Sequence, residues 1–357
     1  YAGTESSVLI KHMKERDMML AVVKEQAGPG FAVKEVPYPV LREDDVIIKV
    51  RSVGICGTDG PILAGTREVP WPLIPGHEFA GDVVEAGSRV RNLKAGDRVT
   101  PCIVIGCGDC DMCIEGKEVL CDNLVETGIH VDGAFAEYVR VPAKVCRKMR
   151  DTTTYDQGAS VDPIASAYRT VKASSITSKD VCVVYGPGPI GLYAVQLIRL
   201  RGVKQVICIG TDVDRDRLKL AGELGADAVI NASIEDPVER VREITGGRMA
   251  DYVQDCVGVP GVPAAAMNML KKGGTYAVTG LYHRLPEVDL GKVVRSEINI
   301  YGTICYTRQE FEECLNFVED GRVKVEPLIT HHFPLNEMEQ AFAVMQSKQC
   351  MKIIMHP

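Results

Sequence analysis

Val181-Cys-Val-Val-Tyr-Gly-Pro-Gly-Pro-Ile-Gly191 is the stretch on which the fold turns. Five apolar residues rich in valine read as a buried strand, and the residues over 190–201 read as an apolar helix. Between them lies G-x-G-x-x-G, a weak pattern alone but a physical one between a strand and a helix. Gly186 permits the tight turn, Gly188 lets backbone approach a pyrophosphate, and Gly191 allows the helix to pack on the strand. The helix start, Pro189-Ile190, offers unpaired N–H groups and a positive dipole end to phosphates. Pro189 has no N–H to lose there. The stretch therefore predicts dinucleotide binding, against the blander reading of a glycine turn between packed elements.

Further along the chain the alternation continues. Strands are expected at 206–209, 228–230, 251–255 and 275–279, with helices at 216–224, 237–245 and 263–270. Such βαβα order signals a parallel doubly wound sheet. The residue that reads the adenosine ribose is expected about 20 positions past the turn, and Asp212 follows Gly191 by 21. Its carboxylate suits ribose hydroxyls and repels a 2′-phosphate, so NAD is the expected cofactor. NADP is the alternative, with Thr211, Arg215 and Arg217 as phosphate receivers should Asp212 turn away; a helix cap is the other role open to Asp212.

Toward the N-terminus the texture differs. Residues 20–23, 45–50 and 135–141 alternate or run apolar, with Gly and Pro between them. Strands joined by turns suggest a β barrel or sandwich. The last fifty residues predict helices over 309–320 and 335–346 and a closing strand over 351–355. No internal repeat or low-complexity linker is visible.

The chain has 357 residues, 46% hydrophobic and 25% charged, as in ordinary globular proteins of about two domains. Its net charge of −7 is spread without a basic stripe, which argues against nucleic acid and for a small-molecule partner. Residues 181–198 carry no charge, but the Gly-Pro-Gly-Pro interior argues against a membrane span. The N-terminus lacks a leader pattern, and His12-Met13 resembles a cloning junction, so residues 1–12 are set aside as partly tag-derived. Thirteen cysteines, an odd number in a long chain, fit a reducing cytoplasm. Cys182, Cys208, Cys256 and Cys305 stand in apolar runs and read as small buried hydrophobes.

Four others cluster as Cys107-x2-Cys110-x2-Cys113-x7-Cys121 in a polar, glycine-containing loop. Four thiolates at this spacing can close a tetrahedron around one zinc ion, leaving no open position, which makes a structural site. A second signal is dispersed. Gly54-Ile-Cys56-Gly-Thr58-Asp59 and Gly76-His77-Glu78 offer a thiolate, an imidazole and a carboxylate from separate loops. Each alone has a bland reading as a buried Cys, a turn His or a surface Glu.

Together with Phe79-Ala-Gly81, Gly96-Asp-Arg-Val99, Leu224-Gly-Ala-Asp227 and the glycine turn, these motifs resemble the zinc-dependent medium-chain dehydrogenases. The resemblance is to their sorbitol, polyol and threonine dehydrogenase branch and covers nearly the whole chain from about Met19. It implies a GroES-like β-barrel catalytic domain over 19–165 and 303–357, and a Rossmann coenzyme domain over 166–302, after an extension over 1–18. By resemblance the active site lies in the cleft between them. A catalytic zinc is implied at Cys56 and His77, with Glu78 as a close, exchangeable carboxylate. The branch's further ligand is a Glu before Pro; here Asp162-Pro163 stands there, one methylene shorter, to bind directly or through water. A relay histidine common in relatives is replaced by Pro61, leaving Thr58 as the proton relay and the second relay group open. Val257, Thr279 and Leu281, with Gly258 and Gly280, are implied near the nicotinamide.

The chemistry implied is hydride transfer between a secondary alcohol of a polyol, sugar or amino alcohol and NAD, with zinc as Lewis acid. An NADP-linked carbonyl reductase on the same scaffold is the near alternative. A nucleotide-binding protein without turnover would lack Cys56 or His77, and a redox sensor would use the Cys107–Cys121 loop as a thiol switch. Thr58, Trp71, Ile105 and Tyr301 are pocket candidates, with Arg295 and Arg308 as anion clamps. A homodimer or homotetramer is implied, through edges of the coenzyme-domain sheets.

Overall fold

The structure, a computed structural model, describes residues 18–357. The tag-like reading of residues 1–12 lies outside them. The chain divides into two compact units, one ending at Asp162 and resumed at Ile329–Pro357, the other Pro163–Leu328. Among the described residues no helix is long and apolar enough to cross a membrane.

The second unit is built on six parallel strands. Their order is Ala228–Asn231, Gln205–Gly210, Val181–Tyr185, Ala250–Asp255, Leu270–Val278, Asn299–Gly302. The first strand in sequence, Val181–Tyr185, thus lies between the second and the fourth. The direction of winding reverses there, and a doubly wound sheet opens its binding crevice at the carboxyl ends of those strands. Val181, Val183, Ile207, Ile209 and Val253 are buried in one core with Ala266, Met267 and Tyr276. Near-continuous burial is what a sheet covered by helices on both faces requires.

Two elements of this unit escaped the sequence reading. The helix Leu290–Ser296 is short, and Asn299–Gly302 is an edge strand with largely exposed side chains, so neither carries a core periodicity. The helix Val161–Ala173 was also unread, because its apolar stripe is broken by Ser166, Arg169 and Thr170. The helix Arg308–Glu319 packs within this unit: Tyr168 Oη donates to Glu313 (2.8 Å), and Lys172 and Arg169 pair with Glu313 and Glu310. Residues 303–328 therefore sit with the second unit, whereas the sequence reading had grouped them with the first.

In the first unit, the strands Ile329–Pro334, Lys352–His356, Asp45–Gly54, Glu78–Ala86, Arg98–Pro101 and Cys146–Lys148 form one path. Tyr138–Pro142 also pairs with Asp45–Gly54. The strand expected from Phe135 begins only at Tyr138; Phe135 instead accepts from Val22 N–H (2.8 Å) and Ala136 bridges Ala21. The central strand Asp45–Gly54 has three neighbours and runs directly into the Cys56 loop. No disulfide is formed among the described cysteines. Cys182 and Cys208 are buried as expected, while Cys256 and Cys305 are only partly so.

Candidate active site

Cys56 follows the end of the strand Asp45–Gly54, and His77-Glu78 begins the antiparallel strand Glu78–Ala86, with Gly54 paired to Glu78. The register brings a thiol, an imidazole and a carboxylate together, their donor atoms all within 4.8 Å of one another. A larger residue than Gly54 at this crossing would displace the ends of two buried side chains. A Cβ there would stand 2.4 Å from Glu78 Oε2 and 2.9 Å from Lys352 Nζ.

Two residues complete the surroundings that sequence reasoning did not single out. Asp59 is fully buried; its Oδ2 accepts from Cys56 N–H (2.8 Å), and its Oδ1 lies 3.5 Å from His77 Nδ1. A carboxylate behind a ligating histidine fixes the ring and raises its basicity. The signal was present in the sequence, since Asp59 closes the same Gly-Ile-Cys-Gly-Thr-Asp motif. Lys352, from the last strand, donates to Ile55 O (3.0 Å) and forms an ion pair with Glu78, both side chains about 2% exposed. Burial draws the Lys352 pKa down to about 8.

Charge explains what this cluster is suited to hold. Burial disfavours a charged His77, yet Asp59, Cys56 and Asp162 outweigh it and push the imidazole up to about 10. Burial raises the Asp59 carboxyl. His77 Nδ1 and Asp59 Oδ1 are buried without a hydrogen-bond partner. A thiol, an imidazole and a carboxylate that converge in a buried pocket are the sulfur, nitrogen and oxygen donors that a zinc ion takes, and the set fits that ion. Asp162 lies near enough to act on His77 electrostatically, but it is not among the donors that converge within 4.8 Å. Thr58 Oγ1 stands 3.6 Å from Cys56 Sγ.

The Glu78–Lys352 pair gives a first prediction. Lys352→Met leaves a buried carboxylate unpaired and should cost about 3–5 kcal/mol, whereas Lys352→Met with Glu78→Gln should recover most of it. Denaturant midpoints of the first unit measure both. A single variant as stable as wild type would show that the pair contributes nothing.

The four-cysteine loop is a separate site. Cys107, Cys110, Cys113 and Cys121 bring their sulfurs within 4.8 Å of one another. Cys107 N–H donates to Cys121 Sγ (3.4 Å), which with other bonds holds that thiol down to about 7, while the bond with Asp109 pushes the Cys107 thiol up to about 12. The closed set of four sulfurs matches structural zinc.

The second unit supplies the dinucleotide cradle. Gly191 must be glycine, since a Cβ would meet Gly186 O at 1.8 Å. Gly188, in contrast, faces open space at the N-cap of the helix Pro189–Leu200, a cradle that a side chain would fill. Ile190 is partly exposed in that first turn. Asp212 Oδ1 accepts from Asn231 Nδ2 and Arg215 Nη2, both at 2.9 Å. Those bonds hold its carboxyl below the usual range. Arg217 pairs with Asp214 at 3.1 Å.

Across the switch point, Asp255 organises the two turns implied near the nicotinamide. Its Oδ1 accepts from Val257 N–H (2.8 Å) and Gly258 N–H (3.1 Å), and its Oδ2 from Tyr276 and Tyr282 hydroxyls. Val257 and Leu281 are left 38% and 55% exposed. Thr279 turns its hydroxyl inward, to Gln254 (3.0 Å) and Thr170 (2.9 Å). Asp255 was legible only as a strand end. Among the pocket candidates, Tyr301 Oη donates to Thr170 O (2.7 Å), Trp71 is largely exposed, and Ile105 lines a groove with Leu73, Ile74 and Val125. Arg295 pairs with Asp289, and Arg308 opens its helix.

Comparison with known proteins agrees with this geometry. Residues 42–151 match the alcohol dehydrogenase GroES-like domain and residues 189–320 the zinc-binding dehydrogenase family. Over 345 residues the chain is 35% identical to sorbitol dehydrogenase of Halalkalibacterium halodurans, covering 95% of this chain and 99% of that one. It is 35% identical over 347 residues to L-threonine 3-dehydrogenase of Bacillus velezensis, with the same coverage. A zinc-binding dehydrogenase from Sinorhizobium meliloti, bound to NADP, superposes with a TM-score of 0.90 at 33% identity, covering 95% of this chain and 99% of that chain. The chain belongs to the zinc-dependent medium-chain dehydrogenases. It is an alcohol and polyol oxidoreductase whose cofactors are zinc and a nicotinamide dinucleotide.

Proposed function

We propose that the chain oxidises a secondary alcohol of a polyol, sugar or amino alcohol with NAD, at a zinc held by Cys56 and His77 with Glu78 beside it. The observation that carries this reading is the convergence of those three donors within 4.8 Å of one another, with the buried carboxylate of Asp59 behind the imidazole. Bound there, zinc supplies a Lewis acid that eases ionisation of the substrate hydroxyl, and the dinucleotide supplies the hydride acceptor. Cys56 and His77 fix the position of that charge, and Asp59 orients His77. Lys352 holds Glu78 in a buried ion pair beside the thiol, and Asp162 stands close enough to act on His77 electrostatically. Thr58 Oγ1 takes the hydroxyl proton of the substrate and passes it outward along water, since Pro61 offers no group to receive it.

On the coenzyme side, Gly186, Gly188 and the N-terminus of the Pro189–Leu200 helix receive the pyrophosphate, Val257, Thr279 and Leu281 flank the nicotinamide, and Asp212 receives the ribose hydroxyls. Residues Cys107, Cys110, Cys113 and Cys121 hold the structural zinc. The reading takes the protein as cytoplasmic and as a homodimer or homotetramer. Exposed Leu285, Leu290 and Val294, with exposed Ile300 in the edge strand Asn299–Gly302, support a self-association face.

An absorbance screen at 340 nm over polyols, sugars and amino alcohols, with NAD and then NADP, tests the reading. Reduction of NAD by one of these classes supports it; exclusive use of NADP, the cofactor bound in the Sinorhizobium meliloti relative, would overturn the Asp212 assignment. Hydrogen bonds to a charged group contribute more than those between neutral groups. Asp212→Ala should therefore lower kcat/KM for NAD by about 10–100-fold. It should raise that for NADP, with Arg215 released to meet the 2′-phosphate. An unchanged ratio between the two cofactors would remove Asp212 from the ribose site.

A further inference from the structure

Apart from the two zinc clusters, a third group of donors stands on the first unit. Asp156 lies in the short helix Tyr155–Ala159, His332 on the strand Ile329–Pro334 and His356 on the strand Lys352–His356. Each contributes one donor atom, and the three lie within 4.8 Å of one another. The two strands are parallel neighbours in which His332 pairs with Ile354 and His356 with Pro334. The imidazoles are thus offset by one pleat on the same face, stacked with ring centroids 5.2 Å apart.

The orientation of the donors is what separates this group from a chance cluster. His356 Nδ1 lies 2.9 Å from Arg51 O. A carbonyl can only accept, so Nδ1 is the donor there and Nε2 is the nitrogen that faces Asp156 Oδ1, 4.0 Å away. A backbone carbonyl behind one imidazole nitrogen is the arrangement that sets the tautomer of a ligating histidine. Asp156 is held in the same way: Ser52, itself buried, donates to its Oδ1 at 2.6 Å. His332 Nε2 lies 2.9 Å from Asp156 Oδ2. Two donors bound to one zinc-sized ion at about 2.1 Å stand roughly 3 Å apart, so this pair already has the spacing. His356 has to close by about 1 Å from its present 4.0 Å, within the reach of a half-exposed side chain.

We propose that Asp156, His332 and His356 form a third, peripheral divalent-cation site, distinct from both zinc clusters. Two imidazoles and a carboxylate suit zinc, nickel or copper ahead of magnesium or calcium. Water fills the remaining positions. Binding replaces the direct contact between His332 and Asp156 and ties together three elements: the helix Tyr155–Ala159, the strand Ile329–Pro334 and the final strand. Its consequence is stabilisation of the first unit by metal, independent of catalysis.

The test uses the holoenzyme with its tightly bound zinc retained, titrated with zinc chloride alone in a calorimeter and by dialysis with metal analysis. Wild type should bind one zinc equivalent per chain more than either His332→Ala or His356→Ala, and its melting temperature should rise with added zinc where those of the variants do not. Both histidines are about half exposed, so the variants should fold. Asp156→Asn should weaken the additional site by at least about 10-fold. Equal zinc stoichiometry in wild type and both histidine variants would overturn the site, as would an added equivalent that survives both substitutions.

Discussion

Cys56→Ser should lower kcat/KM for the alcohol by about 10³-fold or more while leaving dinucleotide binding unchanged. Lewis-acid stabilisation of developing charge contributes several kcal/mol, and each 1.4 kcal/mol is a factor of ten in rate. The serine hydroxyl is smaller and ionises far less readily than a thiol. In this site the thiol is primed: burial resists its ionisation, but His77 and Lys352 outweigh burial and hold its pKa below the ordinary cysteine value. Loss of the anionic donor leaves His77 and Glu78, and Glu78 is engaged by Lys352. Zinc content per chain, turnover at 340 nm and a fluorescence titration with NAD separate the effects. Activity within about tenfold of wild type, with zinc still bound, would show that the chemistry lies elsewhere. Loss of dinucleotide binding alongside activity would point to a folding defect instead.

What could be read in the sequence was what is local. The strand, turn and helix of residues 181–200 are contiguous, so periodicity and three glycines sufficed, and the structure places Gly191 against Gly186 O as that reading requires. The cysteine loop spans fifteen residues, and its spacing alone closes the sulfur set. The dispersed cluster was readable only through the motifs around Cys56 and His77, which had to be joined by resemblance. Lys352 was invisible, because it reaches Glu78 across 274 residues by way of the register of the last strand. Its one trace was a lysine inside an apolar closing strand, Met351-Lys-Ile-Ile-Met355. The Asp156–His332–His356 group left no trace, since each residue lies in an unremarkable stretch and only strand pairing brings them together. Placement of residues 303–328 failed for a related reason. The helix Arg308–Glu319 has an ordinary amphipathic pattern, and its partners Tyr168, Arg169 and Lys172 were in a helix the reading had missed.

Cys113→Ser should remove one zinc per chain and open the loop around Cys107–Cys121 to protease, even where the rest of the chain stays folded. The loop has little else to hold it. Its helix Asp111–Ile114 has four residues and its 3-10 turn Glu118–Leu120 three, lengths at which isolated helices do not persist in water. Ile114 and Leu120 are exposed, leaving Cys113, Cys121, Glu118 and Val119 as its buried side chains. Gly108 and Gly116 take left-handed backbone, at φ of +96° and +71°, to turn the sulfurs inward. An ion bound by four sulfurs in zinc-finger peptides contributes about 10–16 kcal/mol at neutral pH. Here only the part coupled to ordering this loop is lost, so proteolysis within it should change far more than the global midpoint. Limited digestion with metal analysis reads both. A variant that keeps its full zinc content and resists cleavage as wild type does would refute the structural site. A loop that loses its zinc reversibly to mild oxidant, with turnover changing in step, would instead revive the thiol-switch reading, because free sulfurs within 4.8 Å of one another can be oxidised in pairs.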